Sequence, residues 1–353
     1  MRRIVLSAVL LLASCGTVAA QTPAKPTPAR APEPPLRRWF EFQQFVLSTR
    51  YRFISNSADV TTSNHMQYRE QIRFRFNVDA KKRYTLNAGV FTGTQYIASW
   101  NNLGPGTGDF DGKSHYLRQL YLSATPVTGL EGQIGSLFVS RGEQTEFSSY
   151  DDDGWVAGGR VSVRRPKSFY FDELSLTHGV VASTTTPNLW KRWDDLDDLN
   201  YTQVLAAKRF TPVVAASMDY TKHGKTDTLR AAMSLRFKAG SPLSALRWEQ
   251  YARFSEPDAA GFVVTAERPV TKWVRLQGGY ATVDERYGGL NADRIQRGRR
   301  VFAIATVPIH GPLSASVFAT HALDAGYTIS NKTRFDAVLA WDVLNSLRST
   351  GKF

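Results

Sequence analysis

The side chains with the clearest chemical potential in this sequence are arginines that recur in extended segments. In residues 68–78, YREQIRFRFNV, Arg69, Arg73 and Arg75 alternate with aliphatic and aromatic residues. A guanidinium group stays charged at physiological pH, and its planar N–H donors form two-pronged pairs with carboxylate and phosphate groups. Several such groups on one face of a segment predict a protein that recognises or conducts anions.

Alternation with a period of two predicts β-strands, because successive side chains of a strand point to opposite faces. The same pattern recurs over residues 45–53, 229–237, 246–254 and 334–343. No convincing amphipathic helix of about ten or more residues follows Phe45. The sequence therefore predicts an all-β fold.

The connections between the predicted strands alternate in length. Long polar connections at 55–65, 99–113, 140–154 and 184–200 are each followed by a short one, such as DAKKR at 79–83 and TPVTG at 125–129. Tight turns at one rim and long loops at the other are typical of an up-and-down transmembrane barrel. We therefore predict a closed up-and-down antiparallel transmembrane β-barrel over residues 39–353, with about 16 strands and a range of roughly 12–18.

A closed barrel is favoured over a two-sheet sandwich because closure leaves no strand edge unpaired. The arginines are then expected to face a water-filled lumen, since each would cost roughly 2–4 kcal/mol on the lipid side at the midplane. The predicted pore-lining residues are Arg50, Arg52, Arg69, Arg73, Arg75, Arg160, Arg164, Arg230, Arg236, Arg247, Glu249, Arg253, Arg275 and Arg334. The predicted inward acids are Asp219, Glu249, Glu267, Asp336 and Asp342. For each arginine, a structural ion pair with a neighbouring acid is the alternative to a pore-lining role.

The predicted outer face is apolar, with aromatic residues near strand ends, where a barrel meets the lipid headgroups. These residues are Tyr51, Phe53, Tyr68, Tyr84, Phe237, Trp248, Phe254 and Trp341. Glu70 also falls on this face by parity. We expect it near the loop end of its strand, where the cost of a charge on the lipid side falls toward zero.

Composition and the N-terminus restrict the compartment and the partners. The 353-residue chain is 42% hydrophobic and carries a formal net charge of +13, which predicts an anionic partner. Residues 1–20 have the form of a secretory signal peptide, and the Pro- and Ala-rich residues 21–38 are predicted to be a periplasmic spacer. Cys15 leaves a second interpretation open, in which cleavage before it gives a lipid-anchored protein. We expect a location in the outer membrane of a Gram-negative bacterium, among its lipid and lipopolysaccharide. Export argues against a nucleic-acid partner.

Residues 117–161 resemble the alginate-export type of outer-membrane barrel. The matching residues are Leu117, Arg118, Gln119, Tyr121, Gly129, Leu130, Gly135, Arg141, Gly142, Trp155, Gly159 and Arg160. The chain departs from that pattern at Ser136 and Leu137, where the family tends to have an Arg-Gln pair. The resemblance implies a porin-like barrel and a preference for anionic solutes, including acidic oligosaccharides or polysaccharides.

The sequence leaves two alternatives to an anion channel open. A lipid-modifying outer-membrane enzyme would need a serine and a histidine at the lipid-facing rim, but the six histidines are scattered and form no catalytic motif that we recognise. A structural or binding barrel would have its lumen closed by a long loop, and residues 184–200 are the candidate. The acidic groups at 151–153 and 194–198 lack the ligand spacing of a calcium loop, and we predict no metal or other cofactor. The solute and the oligomeric state stay open.

Overall fold

The structure is a computed structural model that describes residues 38–93, 99–103, 115–145, 155–164, 169–181, 189–194, 196–256, 259–284, 286, 297–324 and 331–349. Within these residues lie the strands β1 (Phe40–Ser55), β2 (Thr61–Asn77), β3 (Tyr84–Thr92), β4 (Asn101–Leu103), β5 (His115–Val127), β6 (Leu130–Phe138), β7 (Trp155–Arg164), β8 (Glu173–Val180), β9 (Tyr201–Arg209), β10 (Val214–His223), β11 (Thr226–Arg236), β12 (Ala245–Arg253), β13 (Ala260–Pro269), β14 (Arg275–Val283), β15 (Gly298–His310), β16 (Leu313–Ala322) and β17 (Thr333–Asp342). Helices α1 (Leu189–Trp193) and α2 (Val343–Ser349) lie in the same residues, and no described helix is long and apolar enough to cross a bilayer. The predicted signal peptide and nearly all of the predicted spacer fall outside the described residues.

The strands form one closed antiparallel sheet. Strands that follow one another along the chain pair with each other, and β1 also pairs with β17, which closes the sheet. β3 and β4 lie in line along β2, where Phe91 is opposite Gln71 and Asn101 is opposite Tyr68. The 17 segments therefore occupy sixteen strand positions. This confirms the predicted closed β-barrel.

The two rims differ in their connections. Residues 128–129 and 311–312 are tight turns at the rim that holds the start of β1 and the end of β17. At the opposite rim, residues 181–200 join β8 to β9, as the predicted alternation requires. The same rim also has connections shorter than predicted, because β2 already begins at Thr61 and because β10 and β11 meet at Gly224, whose φ of 57° suits a tight turn.

The pairing register sorts alternate side chains onto the two faces of the wall. Val161 and Leu176 lie opposite each other and are 55% and 51% exposed, whereas the neighbouring pair of Arg160 and Thr177 is buried. Large apolar residues thus share the exposed outer face and polar residues share the inner face, as expected for a barrel surrounded by lipid. Of the predicted outer aromatic residues, the exposed ones are Tyr51, Tyr84, Phe237, Trp248, Phe254 and Trp341.

Glu70 lies on the outer face, as predicted, but it does not stand at a strand end. β2 begins at Thr61, so Glu70 occupies the middle of the strand, opposite Leu47. Its Oε2 atom lies 2.8 Å from Nε2 of His115, and both side chains are partly exposed. The expected rim position was therefore wrong. A histidine partner, rather than a polar rim, offsets the cost of the carboxylate.

Asp342, predicted as an inward acid, caps a helix. Its Oδ1 atom accepts the backbone N–H of Asn345 at 3.0 Å, and its Oδ2 atom accepts the side-chain amide of the same residue at 2.7 Å. Helix α2 then returns to β1, where Arg348 donates to the carbonyl oxygen of Phe42 at 2.9 Å. A carboxylate at the last strand position is thus explained by N-capping rather than by lumen charge.

Replacing Leu176 by arginine tests the outer face. Leu176 stands near the middle of β8, so we expect the guanidinium to lower the free energy of unfolding by about 2–4 kcal/mol. The measurement is denaturant unfolding of the protein folded into lipid vesicles. The control is Leu199→Arg, in the connection between β8 and β9, which should cost less than about 0.5 kcal/mol. Equal losses at the two positions would contradict the assigned lipid face.

Candidate functional site

All of the predicted pore-lining residues occupy inward positions of the register. Arg52 is opposite Asp336, Arg230 is opposite Tyr251, and Arg247 is opposite Thr265, which places each with the polar, buried face. The remaining members follow by the same parity along their strands: Arg50, Arg69, Arg73, Arg75, Arg160, Arg164, Arg236, Glu249, Arg253, Arg275 and Arg334. Facing inward is not the same as lining a passage, so their contacts decide what each can do.

One group of inward arginines forms ion pairs with inward acids. Nη2 of Arg230 lies 2.7 Å from Asp219, and both side chains are buried. The carboxylate oxygens of Asp336 lie 2.5 Å from a guanidinium nitrogen of Arg334, 3.0 Å from one of Arg52 and 3.7 Å from one of Arg50. Further pairs join Arg164 to Glu131 and Glu173, Arg236 to Glu143, Arg253 to Glu256 and Arg275 to Glu267. For this group the structural alternative raised by the sequence describes the contacts well.

A second group, Arg69, Arg75, Arg160 and Arg247, has a different environment. We call these the neutral-contact arginines, because no carboxylate among the described residues lies within 4.0 Å of their guanidinium nitrogens. Nε of Arg75 donates to Asn87 at 3.0 Å, and Nε of Arg160 donates to the Thr177 hydroxyl at 2.8 Å. Neutral acceptors therefore orient the charges of Arg75 and Arg160 without cancelling them.

Aromatic rings support arginines on the same wall. The guanidinium carbon of Arg73 lies 4.4 Å from the ring centre of Phe138 and 5.2 Å from that of Phe91. A guanidinium that stacks on a ring keeps the N–H groups of its edge available to other acceptors. The wall formed by β1, β2 and β3 thus carries a column of positive groups held by rings and amides.

Trp100 belongs to this wall through a break in a strand. β3 ends at Thr92, and its line along β2 resumes at Asn101, directly after Trp100. The Thr92 hydroxyl links the two sides of the break. It accepts a hydrogen bond from the N–H of Glu70 at 3.0 Å and donates one to the carbonyl oxygen of Ser99 at 2.7 Å. The sequence interpretation placed residues 99–113 in a loop at the rim and so missed this element.

The connection after β6 folds into the barrel. The N–H of Glu143 donates to the Ser217 hydroxyl at 2.7 Å, and the carboxylate of Glu143 accepts the Ser234 hydroxyl at 2.6 Å. The N–H of Thr145 donates to Glu249 at 3.1 Å. These contacts attach the described part of the connection, residues 139–145, to the inner faces of β10, β11 and β12; we call it the inward segment.

The sequence placed residues 140–154 among outer-rim loops and chose 184–200 as the candidate for narrowing the lumen. Of the second segment, α1 contacts the ends of β5 and β7, and its Leu189 is fully buried. Among the described residues of the two connections, those of the inward segment make the hydrogen bonds to β10, β11 and β12. Its GEQT sequence is polar throughout, so alternation gives no signal that it folds inward.

Part of the interior is filled by apolar packing. Tyr251, Val263, Phe302 and Phe318 occupy inward positions of β12, β13, β15 and β16 and are buried, and Trp155 of β7 joins the same cluster. These positions do not contact water. The partly exposed arginines of β2 and β12 therefore lie outside this packed region.

Among the described residues, two contacts that a hydrolytic triad needs fall on different histidines: His115 contacts the carboxylate of Glu70, whereas His65 contacts the hydroxyl of Ser63. Ser63 Oγ lies 3.3 Å from Nδ1 of His65, but the described groups that interact with this imidazole are Arg52, Arg50 and Asn102, and none is a carboxylate that could orient it. His178 and His321 share hydrogen bonds with threonine hydroxyls. In the part of the chain that the structure describes, no cluster of His, Cys, Asp and Glu could hold a metal ion; residues 151–153 lie outside it.

Comparisons with known proteins address the fold. No protein-family model matches the chain, and no curated protein matches it. Solved structures with a similar fold include one of the engineered proteins studied for asymmetric conductivity, a multiply substituted mutant of the Rh. blastica porin, and Salmonella typhi OmpF in complex with daunomycin. Their TM-scores are 0.57, 0.57 and 0.55, at 9%, 9% and 10% identity, and the alignments cover 86% of this chain and 100%, 99% and 97% of theirs. The chain thus shares the fold of bacterial porins, whereas the alginate-export resemblance stays a prediction.

Substitution of Gly142 tests whether the inward segment packs against Ser217 of β10. Its φ is 61°, and a Cβ atom there would lie 2.6 Å from the Cβ of Ser217. We expect Gly142→Ala to displace the segment and to speed amide hydrogen exchange at Thr145 by roughly tenfold or more.

Gly224→Ala is the matched control, since Gly224 has a φ of 57° and nothing near its Cβ position. It carries the same backbone strain, about 1–2 kcal/mol, without the collision. If both variants leave the exchange at Thr145 unchanged, the segment is not held where the structure places it.

Proposed function

We propose that this protein is an outer-membrane channel that passes anionic solutes in preference to cations. The porin-type fold supports a location in the outer membrane and a passage along the barrel axis. The single observation that carries the anion preference is the group of neutral-contact arginines. Among the described residues no carboxylate lies within 4.0 Å of their guanidinium nitrogens, whereas the ion-paired arginines such as Arg230 and Arg334 have such a partner.

The electrostatic argument depends on this division. An arginine that pairs with a carboxylate presents little net charge to a passing ion, and several predicted pore-lining residues are of this kind. Arg69, Arg75 and Arg247 are partly exposed, and no described carboxylate lies within 4.0 Å of their guanidinium nitrogens; Glu41, which is opposite Arg75, pairs with Lys82 at 2.6 Å instead. In a passage with low-dielectric walls, such uncompensated charge raises the local concentration of anions and lowers that of cations.

The contacts of Arg75 also suit multivalent anions. Nε of Arg75 is held by the side-chain oxygen of Asn87, which orients its guanidinium plane, whereas all three guanidinium nitrogens of the buried Arg160 already donate to acceptors of the protein. A carboxylate or phosphate can then bind Arg75 through two parallel N–H donors. Acidic oligosaccharides belong to the proposed solute class, in line with the resemblance at 117–161.

A second candidate function is a barrel whose lumen is closed and whose loops bind a partner. The inward segment and the buried apolar cluster favour this candidate, since both occupy interior volume. The two functions differ in a simple property, because only the first conducts ions.

The test is conductance of the refolded protein in a planar bilayer under a gradient of potassium chloride. We expect discrete channels whose reversal potential has the sign of chloride preference. A preference for potassium would contradict the proposal, and the absence of channels would favour the closed barrel. Addition of an acidic oligosaccharide should reduce the chloride current, whereas a neutral oligosaccharide of equal length should not.

Substitutions should separate the two groups of arginines. Arg69→Gln and Arg75→Gln should each lower the chloride-to-potassium permeability ratio about two- to fivefold, since a unit charge 4–8 Å away contributes about 0.5–1 kcal/mol in water. The control is the double variant Arg275→Gln, Glu267→Gln, which removes an ion pair without changing net charge. Its ratio should stay near that of the natural protein. A larger change of the permeability ratio in the control than in Arg69→Gln would contradict the division into ion-paired and neutral-contact arginines.

A further inference from the structure

The side chain of Trp100 contacts two positive groups at once. The guanidinium carbon of Arg50 lies 4.1 Å from the centre of the indole ring, and that of Arg69 lies 4.6 Å from it. The face of an aromatic ring is electron-rich and attracts a cation placed over it, and tryptophan does so most strongly. One ring therefore interacts favourably with both charges.

The register explains why such a ring is needed there. Arg50 is opposite Gln67, and Ser48 is opposite Arg69, so the two arginines are diagonal neighbours on the same face of β1 and β2. Diagonal positions lie about 7–8 Å apart, within reach of long side chains. Two guanidinium groups at that separation repel each other, and the indole offsets the repulsion.

Buried hydrogen bonds fix the chain around the break that precedes Trp100. Thr92 and Ser99 are fully buried and bond to each other, and Nη2 of Arg118 donates to the carbonyl oxygen of Gly93 at 3.0 Å. Asn101 is opposite Tyr68 and Asn102 is opposite Gln67. Continuing this register by one residue places Trp100 across from Arg69 on the inner face of the wall.

The two arginines depend on the ring to different degrees. Arg50 also donates from Nε to Gln67 at 2.9 Å and lies 3.7 Å from Asp336. For Arg69, the indole is the partner that the described contacts provide. Loss of the ring should therefore release Arg69 first, and Arg69 is one of the neutral-contact arginines.

We propose that Trp100 is a positioning residue that sets the anion preference of the channel by holding the guanidinium groups of Arg50 and Arg69. This inference rests on the proposed function. The indole lies over both guanidinium groups; the buried Arg50 is also engaged by Gln67 and Asp336, so the partly exposed Arg69 is the one of the two that can meet a passing carboxylate, phosphate or chloride. Without it, the Arg69 side chain has no fixed position, and its charge acts on the passage less strongly.

The experiment uses the full-length protein with fluorinated tryptophans introduced at position 100 alone. Successive fluorine atoms weaken the attraction of the ring face for cations while keeping the size and shape of the indole. We expect the chloride-to-potassium permeability ratio to fall stepwise along the series, by about two- to fivefold in total. Single-channel conductance at high salt should change little, because the ring still occupies the same space.

Two controls isolate the effect. Trp273→Phe removes a ring that lies 5.0 Å from the ammonium of Lys272 in an exposed turn, and it should leave the ratio unchanged. In the Arg69→Gln background, fluorination should no longer change the chloride-to-potassium permeability ratio, since the main cation held by the ring is gone. The permeability ratio of Trp100→Phe, which keeps an aromatic ring with a weaker attraction for cations, should lie between those of the natural protein and of Trp100→Leu.

The outcomes separate the two proposals. If the natural protein prefers anions but the fluorinated series leaves the ratio constant, Trp100 does not act through its ring and this inference is overturned alone. If the natural protein shows no anion preference, the proposed function fails and the role of Trp100 fails with it.

Discussion

Every backbone N–H and C=O group of a sheet that spans lipid must find its partner inside the sheet, and closure of that sheet is the constraint on which this structure depends. The pairing of β1 with β17 meets it. Closure then divides the side chains into two populations, because alternate residues can only face lipid or the interior. The arginines at positions 69, 73 and 75 share one face of β2 and are tolerable in such a wall only if they point inward.

An interior crowded with arginines has to be organised, and the structure does so in three ways. Asp219 and Asp336 neutralise buried guanidinium groups. Amides and hydroxyls hold others without cancelling their charge. Aromatic rings, of which Trp100 is the clearest case, hold charges that stand close together. The proposed anion selectivity comes from the neutral-contact arginines, whose charge no described carboxylate within 4.0 Å compensates.

Much of the wall could be predicted from the sequence because period-two alternation is a local property. It gave the strands, the approximate strand number and the inward direction of the arginines. Which arginines meet acids could not be predicted, since Arg52 and Asp336 are brought together only by closure across 284 positions of the chain. The start of β2 was misplaced because Thr61 and its polar neighbours resemble a loop, and the position of Glu70 was misjudged as a consequence.

The interior segments escaped prediction for another reason. The inward segment has no period-two alternation, and hydrogen bonds to distant strands hold it in place, such as that from Glu143 to Ser217. A tryptophan between polar residues in a predicted loop is a weak signal by itself. It becomes informative only when the register shows that two arginines lie beneath it.

The most direct test of the central claim is a cysteine scan of β2 with water-soluble thiol reagents of opposite charge, applied to protein folded in lipid vesicles. The account predicts that Arg69→Cys, Arg73→Cys and Arg75→Cys react, and react faster with the negatively charged reagent than with the positively charged one. Ile72→Cys and Phe74→Cys should stay unmodified. Modification of the second pair, or equal rates for the two reagents at the first three positions, would contradict it.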